Sequence, residues 1–249
     1  MSWLDHLFLV AAGMVGGVIN SVASGGSFFT YPAMLATGLA PIQAATSTLA
    51  ALTPANLAAV PEYWPEVLGR RDRYPALVAT VFVGGSIGIV LLFATGGDGF
   101  ERLAPWLVLA ATLFFAATPM VHRWAITNAR SLTHGGVGVG VIFALSIYLT
   151  YFGSGVGNLF LAMLTIRGFG TFLSVNAAKN IVLALGTTMA TVAYTVAGYV
   201  QWEPVLPVMI GSAIGARVAS KVARRLSMRW LQGFVIAFGL FVAVWLFLR

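Results

Sequence analysis

The stretch Gly16-Gly17-Val18-Ile19-Asn20-Ser21-Val22-Ala23-Ser24-Gly25-Gly26-Ser27-Phe28-Phe29 lies inside an apolar run, 4–38, that is too long for one membrane helix and too broken for two. A hydrocarbon core of about 30 Å takes roughly 20 apolar residues per helix. Beyond Ser24-Gly25-Gly26-Ser27 the run resumes for only about a dozen residues, roughly 18 Å of helix. That falls short of a crossing, so the segment reads as a broken or re-entrant helix. Lipid cannot satisfy free backbone N–H and C=O groups, and such a break survives only where it is buried or lines a watery cavity.

The pattern returns in a second run, 135–169, interrupted at Gly153-Ser154-Gly155. Ser24-Gly25-Gly26 precedes Ala33-Met34-Leu35 much as Gly153-Ser154-Gly155 precedes Ala162-Met163-Leu164. Downstream, Gly84-Gly85-Ser86-Ile87-Gly88 has a counterpart in Gly211-Ser212-Ala213-Ile214-Gly215 at nearly the same separation. These echoes predict two repeats, about 4–121 and about 135–248, each of about four helical segments, within a single transmembrane domain spanning 1–249.

Composition agrees with a lipid solvent. Of the 249 residues 59% are hydrophobic and 8% charged, against about 25% charged in ordinary soluble proteins. Continuous apolar runs at 75–95, 104–121, 172–197, 205–222 and 230–248 exclude a β-barrel, whose strands alternate over about ten residues. The fold class is therefore an all-α polytopic membrane protein. The absence of cysteine removes thiol chemistry and disulfide frameworks. The net charge of +7 comes from cations scattered between apolar runs, which argues against a nucleic-acid partner and for membrane orientation. His6, His122 and His134 show no metal-ligand spacing, and no cofactor is expected. The lipid bilayer is the expected surrounding, and a homo-oligomer is compatible with it.

Basic residues favour the cytoplasmic side of short loops. Arg70, Arg71 and Arg73 share one connector, Arg123 and Arg130 another, and Arg217, Lys221, Arg224, Arg225 and Arg229 a third. The opposite connectors, 96–103 with Asp98 and Glu101, and 198–204 with Glu203, carry only Arg102. Counting crossings between these loops puts the N-terminus outside and gives the repeats opposite orientation. Inverted repeats with broken helices near the midplane recur in secondary transporters.

The two breaks are the candidate site. A helix starting after Gly26 through Ser27, or near Val156-Gly157-Asn158, opens with free amides and a partial positive charge, suited to an anion. Ser24, Gly25, Gly26 and Ser27 from the first break, with Ser154, Gly155 and Asn158 from the second, then converge on it. Lys179 lies one or two turns inside an apolar segment, where a charge costs several kcal/mol and faces a cavity or a partner. Asn176, Lys179, Asn180, Thr187, Thr191 and Tyr194 share one helical face, and Thr46 and Ser47 lie on the segment opposite. Gly13/Gly17, Gly84/Gly88, Gly136/Gly140 and Gly211/Gly215 read instead as close helix packing. A hydrolytic pair of Ser154 with Lys179 or His134 is the enzymatic alternative; it lacks a nucleophile elbow, and no enzyme is expected. An anion channel and a non-transporting membrane scaffold are the other rivals.

Gly16-Gly17-Val18-Ile19-Asn20, Ser24-Gly25-Gly26-Ser27 and Tyr31-Pro32-Ala33-Met34-Leu35, followed by Ala44-Ala45-Thr46-Ser47, resemble the TauE/SafE sulfite-exporter family. Phe152-Gly153-Ser154-Gly155-Val156-Gly157, Asn176-Ala177-Ala178-Lys179 and the stretch from Gly211 to Arg217 extend the resemblance over essentially the whole chain. Ser27 and Phe28 stand where the family usually has another glycine, and Leu161-Ala162 replaces a proline. The resemblance implies a multi-pass protein of the bacterial inner membrane that moves small sulfur-containing anions such as sulfite, sulfoacetate or other organosulfonates, by export or uptake; the two broken helices read from the sequence add the expectation of alternating access around a midplane site, with export the expected direction.

Overall fold

In the computed structural model, Ser2 opens the first helix with a capping box: its Oγ accepts from the Asp5 N–H, and the Asp5 carboxylate accepts from the Ser2 N–H at 2.7 Å. The structure describes residues 1–127, 137–223 and 228–248. Arg130, His134, Gly136, Arg224 and Arg225 lie outside them, as do the side chains of His122, Arg123, Lys221 and Arg229.

The described residues form helices and no strands. Helix α1 (Trp3–Ala23) stops at Ser24, and α2 (Ser27–Ala36) runs back along it. Gly26 packs on Gly16 and Asn20, and Thr30 on Gly16, so the two helices form an antiparallel hairpin. Helix α3 (Pro41–Ala59) follows, then a 3-10 turn (Pro61–Tyr63) and the short α4 (Trp64–Leu68). Helix α5 (Tyr74–Thr127) holds a 47-residue apolar span, Tyr74–Met120, roughly 70 Å if straight. Gly96 bends it, with φ 65° and ψ −177°, a conformation that glycine adopts without a Cβ penalty.

Further on, α6 (Val137–Tyr151) stops before the second break and α7 (Gly157–Ile166) begins after it. Helices α8 (Phe172–Val196), α9 (Trp202–Ala223) and α10 (Met228–Leu248) complete the chain. Both expected breaks are therefore present, with α2 and α7 each 10 residues long, about 15 Å. One expectation needs correcting. The connector expected at 96–103 shrinks to Gly96, because one left-handed glycine reorients the chain and helix resumes at once. Asp98, Glu101 and Arg102 are helical residues, the two acids lying in the opening turns of the second arm, where the helix dipole favours them.

Packing across the chain is reciprocal. The broadest helix contact joins α1 to α9. A Cβ added at Gly13 or Gly17 would strike the carbonyl oxygen of Val208 or Ser212, and one at Gly211 or Gly215 that of Val10 or Met14. Only backbones without side chains approach so closely. The numbers advance together, so α1 and α9 run parallel, and the Met1 ammonium meets Glu203 Oε1 at 3.0 Å where the two helices begin. The next broadest contact sets the first arm of α5 on α6, Gly84 against Phe143 and Gly88 against Ile147, again parallel. Between these pairs α3 and α8 run antiparallel: Thr53 Oγ1 lies 2.9 Å from Thr191 Oγ1, and Asn56 Nδ2 donates to Thr187 Oγ1 at 3.4 Å. The glycine pairs expected to serve packing do so at Gly13/Gly17, Gly84/Gly88 and Gly211/Gly215, whereas Gly140 touches nothing within 4 Å.

Candidate functional site

Alanine, asparagine and glycine keep the middle of this bundle thin, and a cavity of about 890 Å³ opens among α1, α3, α8 and α9. The two breaks contribute one side of its wall. Ser24 caps α1 in the left-handed region, φ 52° and ψ 36°, and is the one such non-glycine among the described residues. A serine pays roughly 1–2 kcal/mol for that geometry. Across from it, a Cβ at Gly157 would come within 2.8 Å of Ser24 Oγ. Asn158 follows, with Asn20 on the α1 side.

The wall is α8, whose Asn176, Lys179 and Asn180 all line the cavity. Asn176 Nδ2 also donates to the Tyr63 hydroxyl at 2.7 Å. Among the described residues no carboxylate reaches Lys179 within ion-pair distance. The mouth brings together Glu62, Tyr63, Phe172 and Arg217. Two cations and one carboxylate thus border a space otherwise lined by amides, hydroxyls and small apolar groups. Such a surface offers hydrogen-bond donors and positive charge to a hydrated anion. Glu62 and Tyr63 are not among the expected site residues; they lie just before the connector whose Arg70, Arg71 and Arg73 mark its orientation.

The remaining expected residues sit elsewhere. Thr46 and Ser47 are fully buried above the cavity. Thr46 Oγ1 donates to the Tyr199 carbonyl at 3.0 Å, and the Gln201 N–H donates to Ser47 Oγ at 2.9 Å, which ties α3 to the start of α9. Thr187 and Thr191 bond across to α3, and the Tyr194 hydroxyl donates to the Thr150 carbonyl at 2.7 Å. Half of the polar face of α8 is therefore zipped shut and half is open. Gly25 packs against Phe115 and Ile19, Gly26 against Gly16, and Gly155 against Phe28 and the Ala111 carbonyl. Ser27 and Ser154 face a separate void behind the tips. Ser154 and Lys179 accordingly look into different cavities, and the structure does not join them as a hydrolytic pair.

The sulfite exporter TauE/SafE family matches residues 9–246, from the first helix to the last. The chain belongs to that family. This TauE/SafE member is 30% identical over 217 residues to a probable membrane transporter protein of Haemophilus influenzae, covering 86% of this chain and 83% of that one. It is 27% identical over 223 residues to the probable membrane transporter protein YfcA of Escherichia coli K12 (88% and 80% covered), and 26% identical over 219 residues to the probable membrane transporter protein ORF9 of a Sinorhizobium species (87% and 82%). No solved structure matches it. As a TauE/SafE member with apolar helices and bacterial relatives of this kind, it is an integral, multi-pass protein of the bacterial inner membrane and a membrane transporter rather than an enzyme.

Proposed function

We propose that this transporter carries small sulfur-containing anions, sulfite and organosulfonates such as sulfoacetate, outward by alternating access around the two broken tips. The observation that carries the reading is the cavity itself, which brings Glu62, Arg217, Ser24 and Asn158 around one space with Lys179 in its wall. An anion entering there meets hydroxyl and amide donors, an intramembrane cation and the amide-bearing start of α7, whose first turn has no side-chain cap. Arg70, Arg71 and Arg73 follow directly on the mouth residues in sequence, so the basic-loop rule makes the open side cytoplasmic. A potential of ~100 mV, negative inside, favours expulsion of a monoanion by roughly 2.3 kcal/mol.

Two inverted repeats, about 4–121 and 135–248, account for the reciprocal packing. In this reading the first helix of each repeat lies on the glycine-rich helix of the other, and α3 and α8 meet on the axis between them. The hydrogen bonds of Thr46 and Ser47 to residues 199–201 support a carrier over a channel, because they fasten α3 to the loop before α9 on the side away from the basic connector.

Purified protein in liposomes, loaded with radiolabelled sulfite or sulfoacetate, tests the proposal. Saturable flux with counterflow exchange is expected, and Lys179→Ala should remove most of it. Flux absent for every sulfur anion, or equal in Lys179→Ala, overturns it.

A further inference from the structure

The two short helices end in different ways. At the end of α2, Thr37 serves its own helix: its N–H donates to the Ala33 carbonyl and its Oγ1 to that of Met34 at 2.8 Å. The end of α7 borrows its partner from the connector before α5. Arg73 Nη1 donates to the carbonyls of Arg167 at 3.1 Å and Gly168 at 2.9 Å, groups of the kind a helix leaves open where it stops. The Arg73 guanidinium also stands 6.0 Å from the ring centre of buried Phe169, which the Tyr74 ring meets edge-on. Beside it, Arg70 lies so close on Gly170 that a Cβ there would strike its guanidinium. Gly168 and Gly170 have φ of 68° and 103°, a loop shape that glycine adopts without a Cβ penalty. Among the described residues no carboxylate pairs with Arg73. Its charge sits just before the first turn of α5, the end of a helix that disfavours a cation, so the stability of its own helix does not account for it.

From this grip we infer that Arg73 is a positioning residue for transport, acting through α7 on the wall of the cavity. The inference rests on the reading that the cavity receives the substrate. Helix α7 has 10 residues, about 15 Å. Arg73 holds the backbone where the helix stops, and where it starts Asn158 lines the cavity and Gly157 lies against Ser24. A helix of so few turns moves as a rod, so the guanidinium that fixes one end also fixes how far Asn158 reaches into the cavity.

The chain has no cysteine, so Asn158→Cys provides one thiol at the cavity wall, and its reaction with a small water-soluble methanethiosulfonate reports where the tip stands. Adding Arg73→Ala is expected to change that rate roughly threefold or more, whereas Arg73→Lys, which can still donate to both carbonyls, stays within about twofold of the parent. Arg71→Ala, at an exposed neighbour of equal charge, should leave the rate unchanged. An unchanged rate in Arg73→Ala overturns the role, and so does an equal change in Arg73→Lys or Arg71→Ala. Should Arg73→Ala fail to fold, Arg73→Gln takes its place under the same criteria. In sulfite-loaded liposomes Arg73→Ala, without the added cysteine, is expected to raise the half-saturating concentration about fivefold with maximal flux within roughly threefold, a split that loss of folded protein would not produce. Equal half-saturation overturns the role. A wild type that carries no sulfite refutes the substrate reading instead, and the thiol rates then decide on Arg73 alone.

Discussion

Ser24 Oγ at the end of α1 lies against the Cα of Gly157 at the start of α7, with no room between them for a methyl group. This is where the two broken helices touch beside the cavity. Gly157→Ala is expected to cut transport at least tenfold by forcing the tips apart, and combining it with Ser24→Gly should recover folding but not full transport, since the hydroxyl is lost. Flux in proteoliposomes, read beside melting temperature, separates the two effects. Ser24→Gly alone should melt within a few degrees of the wild type, because relief of its left-handed backbone offsets the added freedom of the unfolded chain.

In the proposed site Lys179 supplies charge where amides alone would not hold an anion against water. Lys179→Gln is expected to lower transport of sulfur anions tenfold or more, about 1.4 kcal/mol, while Lys179→Arg retains a measurable part. Vesicle flux at several substrate concentrations checks both. Equal loss in the two variants would point to shape rather than charge.

Backbone contact between α1 and α9 makes a sharp stability prediction. Gly17→Ala drives a methyl into the Ser212 carbonyl and is expected to cost about 1–3 kcal/mol. Gly140→Ala and Gly233→Ala meet nothing within 4 Å and should be neutral or slightly stabilising, as alanine is the better helix former. Thermal melting of the three variants in one detergent settles the contrast.

The fastening of α3 to residues 199–201 must open if the carrier alternates. Because the chain contains no cysteine, paired cysteines replacing Thr46 and Tyr199 can be bridged without background. Bridging is expected to stop turnover and a reductant to restore it. Turnover that continues with the bridge formed would remove Thr46 and residues 199–201 from the moving layer.

Much of this was legible along the chain, for identifiable reasons. The breaks at 24–27 and 153–157 stand out because small polar residues interrupt hydrocarbon, and Lys179 because a charge inside an apolar helix has few explanations. Asn176 and Asn180 follow from its helical spacing. What the chain did not reveal depends on convergence in space. Glu62 and Tyr63 reach the mouth only because the connector folds into helical turns beside α8. Thr46 and Ser47 look like site residues in sequence, yet their hydrogen bonds go to a loop more than 150 positions away. Ser24 and Ser27 are three residues apart but face different spaces, a separation that a half-turn of backbone decides and composition does not record.

The parallel seat of α1 on α9 has a consequence for biogenesis. Gly13 and Gly17 find their partners near Val208 and Ser212, so the first helix emerges from the ribosome long before the surface that completes it. At about 5–20 residues per second, its bare glycine stripe waits roughly 10–40 s in the bilayer. Each half is an unfinished solid until the other arrives, and a nascent chain truncated before α9 presents an open seam to the insertion machinery and to quality-control proteases.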